Sequence, residues 1–256
     1  PPGAGLLTSR PFRAPHHTVS DVALVGGGSI PRPGEVSLAH HGLVFLDEMA
    51  EFSRHAHEVL RQPLEEGIVR IARAARTATF PAGFMLVGAM NPCPCGYAGT
   101  DVRPCRCTPQ QVDRYTARLS GPLRDRIDLA VSVAALPPRD LAGDAGGEAS
   151  SAIRERVVAA RCRQLQRDGM LNSKLEGRRL RARVRLDAAA RRLLEHAVSR
   201  LTLSARAFDR VLRVSRTIAD LAQSEAVSVE HLGEALQFRG NRWSSAISGL
   251  GRFAER

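Results

Sequence analysis

The hydrophobic period of this 256-residue chain changes once, and that change most limits the folds open to it. In the first half, apolar residues come in short runs at 43–46, 84–90 and 127–133, separated by loops and two short helical patterns. That is the grammar of strands alternating with helices in an α/β domain. Small and turn-forming residues then take over in PPRDLAGDAGGEASS (137–151), which reads as a linker. Beyond it the period is 3.6. Ile153, Val157, Val158, Cys162 and Leu165 are expected on one helical face with arginines opposite, which makes Cys162 a core residue. Asp187, Ser204 and Ser228 are expected to cap three further helices, carrying Leu193, Leu194, Ala197 and Val198, then Phe208, Val211, Leu212, Ile218 and Leu221, then Leu232 and Leu236. The predicted domains are therefore 1–136 (α/β), 137–151 (linker) and 152–256 (helical).

Local signals refine the first half. Thr108, Pro109 and Gln111 form a capping box with proline at the first helical position, followed by a stop at Ser120-Gly121-Pro122. Residues 53–66 read as a helix ending at Gly67, its last turn bent because Pro63 removes a backbone donor.

No stretch approaches eighteen uninterrupted apolar residues and no signal peptide opens the chain, so a membrane partner is not expected and the cytoplasm is the predicted location. Thirty-seven basic against 26 acidic residues give +11, almost all of it arginine, since Lys174 is the sole lysine. Such a balance suits a polyanionic partner, although arginine-rich solvated helix faces would give the same number.

The segment 42–49, GLVFLDEM, is an apolar strand ending in adjacent carboxylates. A strand that delivers Asp47 and Glu48 to its C-terminal tip puts charge where ligands bind in open α/β sheets. This is the pattern of a Walker B motif, with Asp47 holding Mg²⁺ and Glu48 orienting and deprotonating the attacking water. A buried strand with an acidic exit turn is the plain alternative. The second apolar strand, 84–90, ends in Asn91, whose carboxamide resembles the sensor 1 position of AAA+ ATPases; otherwise it is a turn asparagine before Pro92. In SGPLRDRID (120–128), Arg124 and Arg126 precede a third strand. This resembles the place from which an AAA+ subunit sends an arginine finger into its neighbour, and position favours Arg126 over Arg124.

The order of RPFRAPHHTVSDVALVGGGSIPRPGEVSLAHHGLVFLDEM, RQPLEEG, MNPCPCG, RYTARLSGPLRDRID and LSARAFDRVLRVSRTIADLA resembles the magnesium-chelatase-like AAA+ ATPases of the ComM/YifB family, from Pro11 to about Arg239. The resemblance implies a partial AAA+ P-loop NTPase core, a parallel sheet with hairpin inserts, followed by an α-helical lid. It also implies a homo-oligomeric, hexameric ring that hydrolyses ATP with Mg²⁺ and acts on single-stranded or branched DNA as a branch-migration helicase in natural transformation or recombination. Arg206 of LSAR matches sensor 2, with Arg210 one turn later as the fallback. The stretch 22–41 resembles the helix-2 insert of this clade, and 69–77 its pre-sensor hairpin. Loops of this kind face a central channel, where Arg32, Arg70, Arg73 and Arg76 would meet phosphates without reading bases. An exposed basic hairpin with no partner is the alternative.

The phosphate loop G-x-x-x-x-G-K-[ST] is not in this sequence. Pro1-Pro-Gly-Ala-Gly5 is followed by Leu6 and Leu7, and Lys174 lies in a helical-domain loop without preceding glycines. The expectation is a fragment of a longer ATPase that alone hydrolyses ATP negligibly.

Cys93, Cys95, Cys105 and Cys107 form a C-x-C…C-x-C arrangement just after Asn91. In a reducing compartment four such thiolates suit tetrahedral Zn²⁺ better than disulfides, and the ion would pin the loop between the second strand and the capped helix; free thiols are the alternative. The pairs His16-His17 and His40-His41 read as loop and strand-edge residues rather than metal ligands. Two rivals to the DNA motor are the ATPase subunit of a magnesium chelatase and a non-enzymatic, zinc-stabilised nucleic-acid-binding module.

Overall fold

A computed structural model describes residues 9–73, 76–100, 103–134, 147–201 and 203–240, with the backbone alone at 73, 76 and 240. The predicted linker at 137–151 lies outside the described residues as far as 146. The described residues fall into two compact units, one ending at Arg126 and the other starting at Ile127.

The first unit is built on a three-stranded parallel sheet in the order β1 (Phe12–Arg13), β4 (Leu43–Leu46), β7 (Met85–Gly88). Gly42 sets the start of β4. A Cβ at that position would stand 2.0 Å from the Pro11 carbonyl oxygen, and only glycine lets the Leu43 N–H donate to that oxygen at 2.8 Å. From there Val44 and Leu46 are buried on alternate positions.

Between β1 and β4 the chain forms α1 (Asp21–Val25), capped by the Ser20 hydroxyl, then the two-residue antiparallel strands β2 (Gly26–Gly27) and β3 (Arg32–Pro33), and α2 (Glu35–Leu38). Arg13 and Glu35 tie α2 back to β1 through a two-pronged ion pair of 2.5 and 2.7 Å. That pairing holds the Glu35 carboxyl below its ordinary value.

Between β4 and β7 come a 3₁₀ turn (Met49–Glu51), α3 (Arg54–Val59), α4 (Arg61–Glu66) and the hairpin of β5 (Ile68–Arg73) with β6 (Arg76–Pro81). The expected single helix over 53–66 is broken at Leu60, earlier than a bend in the last turn would place it. Pro63 has no N–H for the carbonyl of Val59, and the helix divides around that missing bond. Its ends are as expected: Ser53 Oγ accepts from Ala56 N, and Gly67 closes it in the left-handed region at φ 68°. The capping box of α5 (Pro109–Thr116) is present in both directions, and Ser120 caps α6 (Gly121–Arg124).

The third expected strand, 127–133, is not a strand. Leu129, Val131 and Val133 are exposed by 49, 69 and 93%. Among the described residues no strand pairs with this segment, which donates Ala130 N–H to the Phe238 carbonyl and accepts at Ile127 O from Arg239, both in the second unit.

The second unit packs α7 (Ser150–Asp168), α8 (Gly177–Arg183), α9 (Ala188–Leu201), α10 (Ala205–Leu221) and α11 (Val229–Gly240) around Leu180, Leu194, Val211, Leu212 and Leu232. The caps fall at Asp187, Ser204 and Ser228, whose hydroxyl accepts from His231 N. The face predicted for α7 is corrected. Ala160 and Gln164 are buried, whereas Ile153, Val157, Val158, Cys162 and Leu165 are all exposed. Polar chemistry seats this helix. Arg167 pairs with Asp220 at 2.6 Å and Arg163 donates to the Asp220 carbonyl. At 100° per residue this turns Val158, Cys162 and Leu165 roughly 140–160° away from Ala160. Asp220, 1% exposed, also accepts from Asn172 at 2.7 Å and from Arg216 at 3.0 Å. No helix among the described residues is long and apolar enough to cross a membrane.

Candidate active site

The paired acids stand at the C-terminal tip of β4. Asp47 and Glu48 are both exposed, and the Asp47 carboxylate accepts from Glu48 N at 2.9 Å. Glu48 occupies the left-handed region, φ 48° and ψ 44°, unusual for a residue other than glycine and a conformation that clusters at functional sites. It aims the chain straight into the 3₁₀ turn beyond. His17, just after β1, places Nδ1 3.4 Å from the Glu48 carboxylate while its ring stacks on His16 with centroids 4.0 Å apart.

The tip of β7 lies alongside. Strand register pairs Leu46 with Gly88, Ala89 N donates to Leu46 O at 2.9 Å, and Met49 N donates to Ala89 O at 2.8 Å. Asp47, Glu48 and the exposed Asn91 thus emerge just beyond two adjacent strand ends, the place where ligands bind in open α/β sheets.

Two residues that the sequence reading passed over brace this tip. His57, fully buried on α3, has Nε2 2.8 Å from the Met49 carbonyl and Nδ1 3.3 Å from the Arg118 carbonyl. Arg118, beyond α5, donates to Glu51 at 2.6 Å and to Ala50 O at 3.3 Å. The available signal was position: His57 follows the Ser53 cap by one turn, on the side of buried Ala56 and Leu60.

The arginines are placed as follows. Arg126 is 7% exposed; it donates to Pro122 O at 2.6 Å and forms an ion pair with Glu65 of its own chain. Arg124 is half-buried. Arg206 is exposed near the start of α10. Arg210 pairs with Asp128 at 2.6 Å, and burial lowers its pKa from the ordinary arginine value. Arg32 is exposed on β3, and Arg70 on β5 reaches Glu66 at 2.5 Å. Arg73 and Arg76 are register partners at the end of the β5–β6 hairpin.

The four cysteines converge. Cys93 Sγ lies 3.4 Å from Cys95 Sγ and 3.7 Å from Cys105 Sγ, Cys95 and Cys105 are 3.6 Å apart, and all four sulfurs including that of Cys107 lie within 4.8 Å of one another. Among the described residues this is the one such group of histidine, cysteine or acidic ligands. Backbone N–H groups of Arg106 and Tyr97 bring the Cys95 thiol down to about 6, and burial pushes Cys107 up to about 12. His40 Nδ1 accepts from Gly83 N at 3.0 Å and its ring stacks on His41, so that pair is part of the loop before β7.

Residues 2–141 match the family described as magnesium chelatase, subunit ChlI, and residues 147–239 match the C-terminal domain of the same subunit. The chain is 49% identical over 233 residues to the competence protein ComM of Haemophilus influenzae, covering 90% of this chain and 45% of that protein. It is 47% identical over 232 residues to YifB of Salmonella typhimurium and 46% identical over 232 residues to YifB of Escherichia coli, again covering 90% of this chain and 45% of each relative. The chain therefore spans slightly under half the length of these relatives. With both units matched and the similarity running through nine-tenths of its residues, the chain belongs to the magnesium-chelatase-like AAA+ proteins of the ComM/YifB family.

Proposed function

We propose that this chain is the Walker B-to-lid portion of an ATP-driven motor that remodels DNA, a branch-migration helicase working as a cytoplasmic hexameric ring in natural transformation or recombination. The observation that carries the reading is the convergence of Asp47, Glu48 and Asn91 on two adjacent strand tips. Bound magnesium supplies charge neutralisation for the phosphates. Asp47 holds that ion, directly or through water, Glu48 takes the proton of the attacking water, and Asn91 orients the water or the terminal phosphate. Arg206 contributes from the subunit's own lid. Arg126 acts on the neighbour's nucleotide once it exchanges Glu65 for phosphate. Arg32, Arg70, Arg73 and Arg76 track single-stranded or branched DNA through its backbone, consistent with the +11 balance. The four cysteines take Zn²⁺.

The printed name of the Haemophilus relative, a competence protein, supports the DNA reading. A magnesium-chelatase motor is the second reading, favoured by the family description alone.

The test is ATP turnover by the protein at the length of its relatives, with and without branched DNA. Expected are DNA-stimulated hydrolysis that falls by about a thousandfold in Glu48→Gln with nucleotide binding retained, and negligible turnover by the present chain. Turnover indifferent to Glu48→Gln overturns the hydrolytic reading, and stimulation by a porphyrin rather than DNA assigns the chelatase instead.

A further inference from the structure

We propose that Cys93, Cys95, Cys105 and Cys107 hold one Zn²⁺ that acts as a bracket for the hydrolytic site, keeping Asn91 and the turn after Glu48 in register, so that the metal governs turnover rather than nucleotide or DNA affinity. The bracket role rests on the hydrolytic reading of Asp47, Glu48 and Asn91; the metal site itself does not.

The sulfur geometry is that of a single tetrahedral ion. Zn–S bonds of about 2.3 Å place the corners of a tetrahedron about 3.8 Å apart. The separations among Cys93, Cys95 and Cys105, 3.4, 3.6 and 3.7 Å, are close to that edge and far beyond the ~2.05 Å of a disulfide. A ring this tight leaves no room for the inorganic sulfides of an iron–sulfur cluster. Four soft thiolates select zinc among the common divalent ions. The sulfurs are also oriented from outside, as ligands are: Ala98 N donates to Cys93 Sγ at 3.3 Å and Cys107 N to Cys105 Sγ at 3.4 Å. Between the two cysteine pairs, Arg103 stacks on the Tyr97 ring at 4.2 Å.

What the ring joins gives it a role. Cys93 stands two residues past Asn91, and Cys107 immediately precedes Thr108, the cap of α5. Near the end of α5, buried Tyr115 turns its phenol to the Asn91 backbone N–H. One turn on, Arg118 grips Glu51 and the Ala50 carbonyl, and its own carbonyl meets His57, which also holds Met49. Met49 N then closes the circuit on Ala89 at the tip of β7. The cysteine ring and Tyr115 therefore both tie the asparagine to the helix that fixes the acid turn, the ring from the N-terminal end of α5 and Tyr115 from its last turn. Without an ion, only weak sulfur hydrogen bonds oppose the entropy of the loop, whereas a bound ion would close it outright.

The experiment uses the protein at the length of its relatives, as purified, after zinc removal with a thiol-competing chelator and after zinc readdition, together with Cys105→Ser and, as control, Cys162→Ser. Metal content, ATP turnover, KM, DNA affinity and amide hydrogen exchange are measured. Expected are one zinc per chain and its loss in Cys105→Ser but not Cys162→Ser. Turnover should fall roughly tenfold or more on zinc loss, with KM and DNA affinity changed by less than about threefold. Exchange should quicken at 49–52 and 89–92, with both effects reversed in the wild-type chain when zinc returns. Protein purified without metal, or a coloured iron-loaded form, overturns the zinc site. Bound zinc whose removal leaves turnover and exchange unchanged, or weakens DNA binding through the exposed Arg103 and Arg106 instead, overturns the bracket. If no form hydrolyses ATP, the hydrolytic reading falls while the exchange result still decides whether the metal braces the two strand tips.

Discussion

His57 Nε2 lies 2.8 Å from the carbonyl oxygen of Met49, so a fully buried imidazole on α3 fixes the backbone immediately after the paired acids. Its tautomer with the proton on Nε2 donates to that carbonyl, and no other side chain among the described hydrogen bonds does so. His57→Ala leaves the Met49 carbonyl with only the long 3.4 Å bond from Phe52 N, and a cavity beside Phe52. The expected cost is about 3 kcal/mol of unfolding free energy, read from urea denaturation of wild type and variant. A change under about 0.5 kcal/mol would mean that the turn holds itself.

The helical unit has its own fixed point at Asp220. Burial pushes this carboxyl up, but the hydrogen bonds from Arg167 and Asn172 and the charge of Arg216 outweigh it and hold it below its ordinary value. A carboxyl lowered by folding contributes stability that is present above its unfolded pKa of about 4 and is lost as pH falls through the folded value. Thermal unfolding of the helical unit should therefore steepen in its pH dependence below about pH 4, and Asp220→Ala should flatten that dependence. At neutral pH the same variant removes the carboxylate shared by Arg216 and Arg167, leaving Arg216 to the Glu225 and Ser224 carbonyls and Arg167 to Asp168, and is expected to lower stability by about 3 kcal/mol.

Gly42→Ala tests the seam of the sheet. The added Cβ would meet the Pro11 carbonyl at 2.0 Å, backbone against backbone, and no side-chain rotation can relieve it. Either β1 peels from β4 or the tip carrying Asp47 shifts. About 3 kcal/mol of destabilisation is expected, with melting temperature as the measure. Gly121→Ala, where a Cβ has nothing within 4 Å, is the matched control.

Features encoded by neighbours in sequence are legible without coordinates. Thr108, Pro109 and Gln111 specify the α5 cap by themselves, Ser204 and Asp187 do the same for their helices, and the run from Leu43 to Asp47 is a strand with an acidic exit in sequence and structure alike. The same locality explains the failures. Residues 127–133 have a strand's composition, but a strand needs a partner for its backbone, and none of the described strands takes it. The stripe from Val158 to Leu165 has a helix's apolar period, yet α7 is seated by the salt-bridged side it shares with Asp220, which periodicity scores as surface. The commitment of Arg126 to Glu65, and of His57 to two carbonyls, depends on residues brought together only by the fold. In the candidate site, the strand-borne Asp47, Glu48 and Asn91 are readable in advance; the braces that hold their backbone are not.

The positive φ at Glu48 restricts how that position can be probed or diversified. Unbranched replacements such as glutamine or asparagine can occupy the same torsional basin and report on chemistry alone, whereas valine, isoleucine or threonine would be driven out of it by their own Cβ substituents. A mutational scan at this residue should therefore separate into two populations, one that keeps the native peptide plane between Glu48 and Met49 and one in which that plane is displaced.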